Sequence, residues 1–219
     1  MKKSSDYCNQ HMEQEIKIPI DGVALEGTLA MPKGASGIVL FAHGSGSSRF
    51  SPRNTFVAKE LQKLGVATLL IDLLTEKEDE IYETRFDIDL LTERLGEVIR
   101  WLKREPKTKG LAIGLFGAST GAAAALQVAA RLPSHIAAVV SRGGRPDLAM
   151  KNIGKVTAPT LLIVGGNDFG VIELNEQALA ALHCEKKLEI VHGATHLFEE
   201  PGTLGQVAEL AVAWFKKYL

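Results

Sequence analysis

The sequence from residue 111 to residue 130, LAIGLFGASTGAAAALQVAA, joins two apolar runs through a serine flanked by glycines. The run from Leu111 to Phe116 has the length of a buried strand, and the alanine-rich run from Ala122 to Ala130 favours a helix. Between them, Gly117-Ala118-Ser119-Thr120-Gly121 fits the pattern Gly-x-Ser-x-Gly, in which a tight turn holds the serine in a strained conformation at the tip of a sheet. The stretch therefore predicts a strand, a sharp turn with Ser119 at its apex, and a helix.

Alternating strands and helices surround this stretch along the whole chain. Two period-two segments, 15–20 and 23–31, flank Asp21-Gly22, a dipeptide typical of a two-residue hairpin turn. Further strands are predicted at 37–42, 66–71, 111–116, 136–141, 159–164 and 187–191, separated by helical segments. This order predicts an α/β fold with three αβα layers, in which a mostly parallel, doubly wound sheet begins with an antiparallel hairpin.

Three segments outside the strands carry more specific signals. Apolar residues at alternating spacings of three and four between Ile88 and Leu102 predict a long amphipathic helix. The acidic stretch before it, residues 75–80, is expected to be a solvated surface loop. Thr203-Leu204-Gly205-Gln206 has the spacing of a capping box and predicts the start of the last helix.

Length and charge limit what the chain can be. With 219 residues, 46% of them hydrophobic, it suits one sizeable core, so we expect a single domain at 14–219 behind a polar leader at 1–13. The formal net charge is −1 and no basic cluster is present, which argues against nucleic acid or an anionic membrane as a partner. The expected partner is a small molecule, and the oligomeric state stays open.

The leader and the cysteines bear on the cellular compartment. The leader starts with two lysines but lacks the apolar stretch of a signal peptide. Cys8 and Cys184, the two cysteines, have no spacing that suggests a disulfide framework or a metal knuckle. Together these features predict a cytoplasmic protein with reduced thiols.

Polar residues at the ends of predicted strands suggest a catalytic set. A serine hydroxyl needs a base and a carboxylate that orients the base, and Asp168 and His196 follow the two strands nearest the C-terminus. In an open α/β sheet such strand ends form the ligand crevice. Competing candidates remain: Asp147 and Glu173 for the acid, and His192 for the base. Ser119 itself has the alternative of capping the helix that follows it.

The chain resembles the α/β-hydrolase superfamily, and within it the dienelactone hydrolase-like group without a cap domain. The motifs that carry this resemblance are His43-Gly44-Ser45-Gly46, the segment 117–121, Gly165-Gly166-Asn167-Asp168 and Gly193-Ala194-Thr195-His196. The chain order serine, aspartate, histidine is also that of the superfamily. The resemblance implies that the backbone amides of Ser45 and Thr120 form the oxyanion hole, and that Asp168 is the acid of the set. One departure is that the enzymes that gave the group its name use a cysteine nucleophile.

Four arginines are predicted near Ser119. Arg49, Arg53, Arg142 and Arg145 lie in loops at the same end of the sheet, where they either bind a substrate carboxylate or pair with loop carboxylates. His43 is expected to hydrogen-bond its own loop. The glycines after it lack the rest of a nucleotide-binding motif, and no histidine or cysteine cluster has metal-ligand spacing. No cofactor and no metal are expected.

These features predict a serine hydrolase that cleaves a carboxylic ester, a lactone or a thioester of a small substrate through an acyl-enzyme intermediate. An acyltransferase or a cofactor-free perhydrolase would use the same three residues. A binding protein that keeps the fold without turnover is the alternative from another class. Only residues 142–158 separate two predicted strands where a cap would be inserted, which favours an open pocket and small acyl groups.

Overall fold

The computed structural model describes residues 13–20 and 22–219, which form eight strands and seven α-helices. The strands are β1 (Glu13–Ile20), β2 (Val23–Ala30), β3 (Gly37–Ala42), β4 (Ala67–Ile71), β5 (Ala112–Ala118), β6 (Ala138–Arg142), β7 (Thr160–Gly165) and β8 (Lys186–Val191). The helices are α1 (Pro52–Lys63), α2 (Glu76–Asp79), α3 (Ile88–Arg104), α4 (Thr120–Arg131), α5 (Met150–Ile153), α6 (Phe169–Ala181) and α7 (Thr203–Tyr218). The predicted leader and Cys8 lie outside the described residues, apart from Glu13, which begins β1.

All eight strands belong to one sheet in the order β1-β2-β4-β3-β5-β6-β7-β8. β1 and β2 are antiparallel, β2 is antiparallel to β4, and every pair beyond β4 is parallel. The hairpin register pairs Ile20 with Val23, and Gly22 has a φ of 79°, as a two-residue turn requires. Asp21, the other turn residue, lies outside the described residues. The predicted α/β fold with an antiparallel N-terminal hairpin is confirmed.

Two apolar clusters cover the two faces of the sheet. Successive side chains of a strand point to opposite faces, so Leu115 packs in the cluster with α3 and α4, whereas Phe116 packs in the cluster with α1 and α7. Phe41 of β3 lies beside Phe116 with a ring-centroid distance of 4.9 Å, and neither ring is exposed to any extent. Burying each such ring contributes about 1.5–3 kcal/mol. These contacts hold β3 and β5 side by side under the loops that follow them.

The starts of α3 and α7 differ in how well the local sequence predicts them. The long amphipathic helix is confirmed as α3, whose N-cap Asp87 accepts a hydrogen bond from the Leu90 amide at 3.0 Å. The capping box predicted at Thr203 is wrong: the N-cap of α7 is Gly202, and the Thr203 hydroxyl donates to the Glu200 carbonyl. Gly202, in the left-handed conformation, takes the N-cap position, so the helix begins at Thr203, one residue earlier than the pattern suggested.

The acidic stretch is more ordered than the predicted solvated loop. It contains the short helix α2, which has a capping box formed by Thr75 and Glu78. Glu78 also forms an ion pair with Arg94 of α3 at 2.7 Å, and Arg94 is almost fully buried. The stretch is therefore anchored to the body of the fold, since a buried guanidinium requires a counter-charge.

The parallel strands bring their carboxyl ends to one edge of the sheet. The loops after β3, β5, β6, β7 and β8 all begin at this edge, and they carry the residues that the sequence singled out. Crevices at this edge are where open α/β sheets bind ligands. Within the described part of the chain, no helix has both the length and the apolar character needed to cross a membrane.

Candidate active site

Ser119 lies between the end of β5 and the first residue of α4 in a strained backbone conformation. Its φ is 51° and its ψ is −120°, values that a residue with a side chain rarely adopts. Although Ser119 stands in the N-cap position of α4, its side chain makes no capping hydrogen bond. The alternative role that the sequence left open, a simple helix cap, is therefore not the one that Ser119 has.

The two glycines of the pentapeptide allow this turn to pack closely. A Cβ atom on Gly121 would lie 2.3 Å from the carbonyl oxygen of Ala42, and one on Gly117 would lie 2.4 Å from the Cα of Ala122. Both distances are far below van der Waals contact with rigid backbone. Glycine is therefore required at both positions: at Gly121 because α4 starts directly against the end of β3, and at Gly117 because α4 folds back closely on the end of β5.

Asp168 and His196 are brought together by the loops after β7 and β8. The Nδ1 atom of His196 lies 2.6 Å from Oδ2 of Asp168, and the carboxylate is mostly buried. Asp168 stands in the N-cap position of α6 but makes no capping hydrogen bond, so its carboxylate is directed to the histidine instead.

The competing candidates are placed elsewhere. Asp147 accepts two hydrogen bonds from Arg145, at 2.9 Å and 2.8 Å, which occupies both of its oxygens. Glu173 is exposed on α6, and His192 is exposed at the end of β8. Of the acids and bases considered, Asp168 and His196 form the pair.

Ser119 and His196 are connected through the loop that follows β6. The amide of Ser119 donates to the carbonyl of Arg142 at 3.2 Å, and a Cβ atom on the next residue, Gly143, would lie 3.4 Å from both Nδ1 and Cε1 of His196. No hydrogen bond between the Ser119 hydroxyl and His196 is found within residues 13–20 and 22–219. Such bonds are often long in unliganded sites and tighten when the substrate binds.

The loop that carries His196 is held at both ends. The side chain of Asn167, next to Asp168, donates to the Gly193 carbonyl at 3.1 Å, and Thr195 donates to Glu200 through its amide and its hydroxyl. Phe198 has a φ of 56° and is 1% exposed. Phe198 could not be predicted from the sequence, because neither its residue type nor its neighbours suggest a positive φ.

The predicted oxyanion loop approaches Ser119 from β3. A Cβ atom on Gly44 would lie 2.9 Å from the Cβ of Ser119, so the loop passes the turn too closely for a side chain at this position. The amide of Ser45 donates to the hydroxyl oxygen of Thr120 at 2.9 Å, and Thr120 is almost fully buried. The two predicted donor residues are thus adjacent, with the Ser45 amide bound to a side chain.

His43 is a loop-holding residue, as expected. Its Nδ1 lies 2.9 Å from the Gly44 carbonyl oxygen, and its Nε2 lies 3.4 Å from Oδ1 of Asp72. Burial raises the pKa of Asp72, but hydrogen bonds from His43 and Arg49 outweigh this effect and leave the pKa below its ordinary value. Asp72 is therefore a carboxylate that ties together the loops after β3 and β4.

Three of the four predicted arginines have carboxylate partners. Arg49 is paired with Asp72, Glu15 and Glu26, and Arg145 is paired with Asp147. Arg53 of α1 contacts Glu199 at 3.1 Å. Arg142 differs: it is buried, its guanidinium lies 5.7 Å from the centroid of the Phe198 ring, and its Nε has no hydrogen-bond partner.

A cavity of about 470 Å³ opens beside this site, next to the oxyanion loop. Its walls include His43, Ser47, Phe50 and Asp72, but none of Ser119, Asp168 and His196. As for metals, no group of three histidine, cysteine, aspartate or glutamate side chains in the described ranges could hold an ion.

Comparison with known proteins supports a relationship over nearly the whole chain. A dienelactone hydrolase from Anabaena variabilis has a crystal structure that is similar with a TM-score of 0.94 and 56% sequence identity, covering 96% of this chain and 99% of that one. Est1E from Butyrivibrio proteoclasticus shares the fold, with a TM-score of 0.81 at 18% identity over 93% of this chain and 98% of that one.

Two curated relatives from Mycobacterium tuberculosis strains are named as transferases and not as hydrolases. Each is provisionally named a phosphoribosyl transferase and is 54% identical over 207 residues, which make up 94% of this chain and 47% of the relative. The chain thus spans about half the length of these relatives. The model of the dienelactone hydrolase family matches residues 25–218, and the chain belongs to that family.

Proposed function

We propose that this chain hydrolyses a carboxylic ester, including a lactone or a thioester, of a small substrate through an acyl-enzyme intermediate on Ser119. The observation that carries the proposal is the Asp168–His196 pair, 2.6 Å apart, at strand ends beside a serine with a φ of 51°. Membership of a hydrolase family supports the same class of reaction.

In the proposed reaction, His196 is the base. Because its Nδ1 faces Asp168, the other ring nitrogen, Nε2, accepts the hydroxyl proton of Ser119. The Ser119 oxygen then bonds to the ester carbonyl carbon, and the carbonyl oxygen becomes negatively charged. Asp168 stays ionised and stabilises the imidazolium.

Collapse of this intermediate breaks the ester bond. The leaving alcohol takes the proton from His196 Nε2, and the acyl group stays on Ser119. Water then hydrolyses the acyl-enzyme by the same steps. It gives a proton to His196 while its oxygen bonds to the acyl carbon, and the Ser119 oxygen leaves with the proton that His196 returns. The products are a carboxylic acid and an alcohol.

The negative oxygen of each intermediate needs fixed donors, for which we propose the amides of Ser45 and Thr120. The Ser45 amide donates a hydrogen bond to the Thr120 hydroxyl oxygen. Binding of the developing oxyanion replaces or shares this bond, so the amide is already aimed at the turn before the reaction begins.

Serine at position 119 favours ordinary esters over the dienelactone substrates of the cysteine enzymes. Phosphoribosyl transfer, which the names of the mycobacterial relatives suggest for those proteins, is not part of this proposal, because the match covers about half of their length. For the partner we propose a small molecule rather than nucleic acid or membrane, and for the compartment the cytoplasm.

A fluorophosphonate probe tests the proposal, because it reacts covalently with an activated serine. Wild-type protein should be labelled and should release nitrophenolate from short p-nitrophenyl esters, whereas Ser119→Ala should do neither. Equal labelling of both proteins would overturn the proposal. Absence of labelling in the wild type would favour the binding-protein alternative.

The acyl acceptor is identified by product analysis. Reactions run with an added alcohol, thiol or peroxide should still give the free acid as the main product. A dominant acyl transfer product would instead identify an acyltransferase or perhydrolase that uses the same three residues.

A further inference from the structure

Arg142 is the last residue of β6 and lies directly beside the proposed nucleophile. Its carbonyl accepts a hydrogen bond from the Ser119 amide at 3.2 Å, and a Cβ atom on the next residue, Gly143, would lie 3.4 Å from the His196 ring. The side chain of Arg142 turns to the face of the sheet that carries α1, where its guanidinium lies over the ring of Phe198. The residue is only 7% exposed.

Within the part of the chain that the structure describes, this buried guanidinium has no counter-charge. Its Nε lacks a hydrogen-bond partner, and no carboxylate of the described ranges forms an ion pair with it. Burial, and after it the positive charge of Arg53, lowers the pKa of Arg142 to about 10, so the side chain is still charged at neutral pH. A buried charge without a partner is costly, and proteins normally satisfy such a group with an opposite charge.

Arg53 is the second cation at this place. Its Nε is buried and also lacks a partner, while its Nη1 contacts Glu199 at 3.1 Å. The Glu199 side chain is 65% exposed, and ion pairs of this kind contribute little because water screens them. An anion from solution can therefore replace Glu199 at small cost.

Arg49 and Arg145 serve as a contrast on the same edge of the sheet. Each donates to carboxylates of its own or neighbouring loops, so neither has an unmet need for an anion. Among the arginines of the described ranges, only Arg53 and Arg142 have a buried Nε atom without a hydrogen-bond partner; the whole Arg142 side chain is buried, whereas Arg53 is partly exposed.

From this geometry we propose that Arg53 and Arg142 form a subsite for an anionic group of the substrate, a carboxylate or a phosphate. The inference rests on the proposed ester hydrolysis and narrows its substrate class to esters that carry a negative charge. Phe198 and Glu199, which contact the two arginines, follow His196 by two and three residues. The subsite therefore lies next to the base, where it would orient the ester over Ser119.

Two esters that differ in one charge test the subsite. The mono-p-nitrophenyl ester of glutaric acid is anionic, and its methyl ester is neutral. At constant ionic strength, wild-type protein should cleave the anionic ester with the higher kcat/KM. We define the ratio as kcat/KM for the anionic ester divided by kcat/KM for the neutral ester. This ratio should fall about 10- to 100-fold in Arg142→Met and in Arg53→Gln, as expected for the loss of hydrogen bonds to a charged group.

Two further variants serve as matched comparisons. Glu199→Gln removes the carboxylate that competes for Arg53 and should raise the ratio by about two- to threefold, in line with a weak surface pair. Lys59→Gln removes one exposed charge from the same helix and should leave the ratio unchanged. Equal losses on both esters in the arginine variants would overturn the proposal, as would a wild-type ratio of one or less.

Two further questions are tested separately: whether Arg142→Met folds, and whether the bound anion is a carboxylate or a phosphate. Should Arg142→Met fail to fold, unchanged ratios in Arg53→Gln and Glu199→Gln would overturn the subsite. Should wild type cleave neither ester, the proposed function fails, and calorimetric titration with glutarate and inorganic phosphate decides on the subsite alone. If one of the two anions binds more tightly and this binding is lost in Arg53→Gln, that anion shows whether the subsite takes a carboxylate or a phosphate. If neither anion binds, the subsite is overturned.

Discussion

The amide of Ser45 donates a hydrogen bond to the hydroxyl oxygen of Thr120 at 2.9 Å, although 75 residues separate the two in the chain. This bond joins the loop after β3 to the first residue of α4. It keeps the Ser45 amide directed at the turn that holds Ser119. Since preorganised donors stabilise a developing oxyanion without rearrangement, the Thr120 side chain has a positioning role in the proposed reaction.

Replacing the Thr120 hydroxyl tests this role. Thr120→Val keeps the shape of the buried side chain but removes the acceptor, so the Ser45 amide loses its orientation. We expect kcat for a short p-nitrophenyl ester to fall about tenfold or more. Thr120→Ser retains the hydroxyl and should stay near wild type. A valine variant with unchanged kcat would show that the bond has no part in turnover.

Removing the charge of Asp168 tests the proposed orientation of the base. Asp168→Asn can no longer stabilise the protonated histidine or hold its Nδ1–H, and we expect kcat to fall by about three to four orders of magnitude. Glu173→Gln, an exposed carboxylate on α6, is the matched control and should keep near wild-type turnover. Comparable activity in both variants would exclude Asp168 from the reaction.

The close contacts of the turn predict a strong effect on stability. In Gly121→Ala, the new methyl group would meet the carbonyl oxygens of Ala42 and His43 at 2.3 Å and 2.4 Å. These clashes can be relieved only if the backbone moves. We therefore expect the free energy of unfolding, measured in urea, to fall by about 3 kcal/mol or more.

Gly205→Ala provides the comparison within a helix. Nothing lies within 4 Å of a Cβ atom there, and alanine is favoured over glycine in helix interiors by about 1 kcal/mol. This variant should be as stable as wild type or more stable. A Gly121→Ala protein with wild-type stability would mean that the turn is looser than its contacts indicate.

Much of the fold and part of the site could be predicted from the sequence, because both depend on local patterns. Buried strands and the stripe of α3 have a clear periodicity, and topology then brings the strand ends to one edge. That is why the loop positions of Ser119, Asp168 and His196 were foreseeable, and why the last two form a pair.

The remaining features depend on contacts between distant segments, which no local pattern contains. The N-cap of α7 is Gly202 and not Thr203, whose hydroxyl instead donates to the Glu200 carbonyl, and the partner of the Ser45 amide is a side chain on another element. Similarly, four arginines in similar loops could not be told apart by sequence. Only packing shows that Arg142 is buried without a carboxylate partner among the described residues, while Arg49 is surrounded by three.

The lowered pKa of Asp72 predicts a pH dependence of stability. A carboxyl whose pKa is lower in the folded than in the unfolded protein stabilises the fold above its unfolded pKa of about 3.9, and this contribution is lost as the pH falls through the folded pKa. Asp72→Asn removes it, since an amide cannot carry the charge that Arg49 and His43 contact. At pH 7 we expect Asp72→Asn to lower the free energy of unfolding by about 1–3 kcal/mol.

The difference between wild type and Asp72→Asn should remain constant from pH 7 to about pH 5. It should shrink below about pH 4, where Asp72 of the unfolded chain becomes protonated while that of the folded protein is still ionised. Urea unfolding at several pH values measures it. Asp89→Asn is the control, because the Asp89 side chain is 81% exposed and its ion pair with Arg131 is screened by water. A difference for Asp72→Asn that does not change with pH would show that its effect comes from packing and not from the charge.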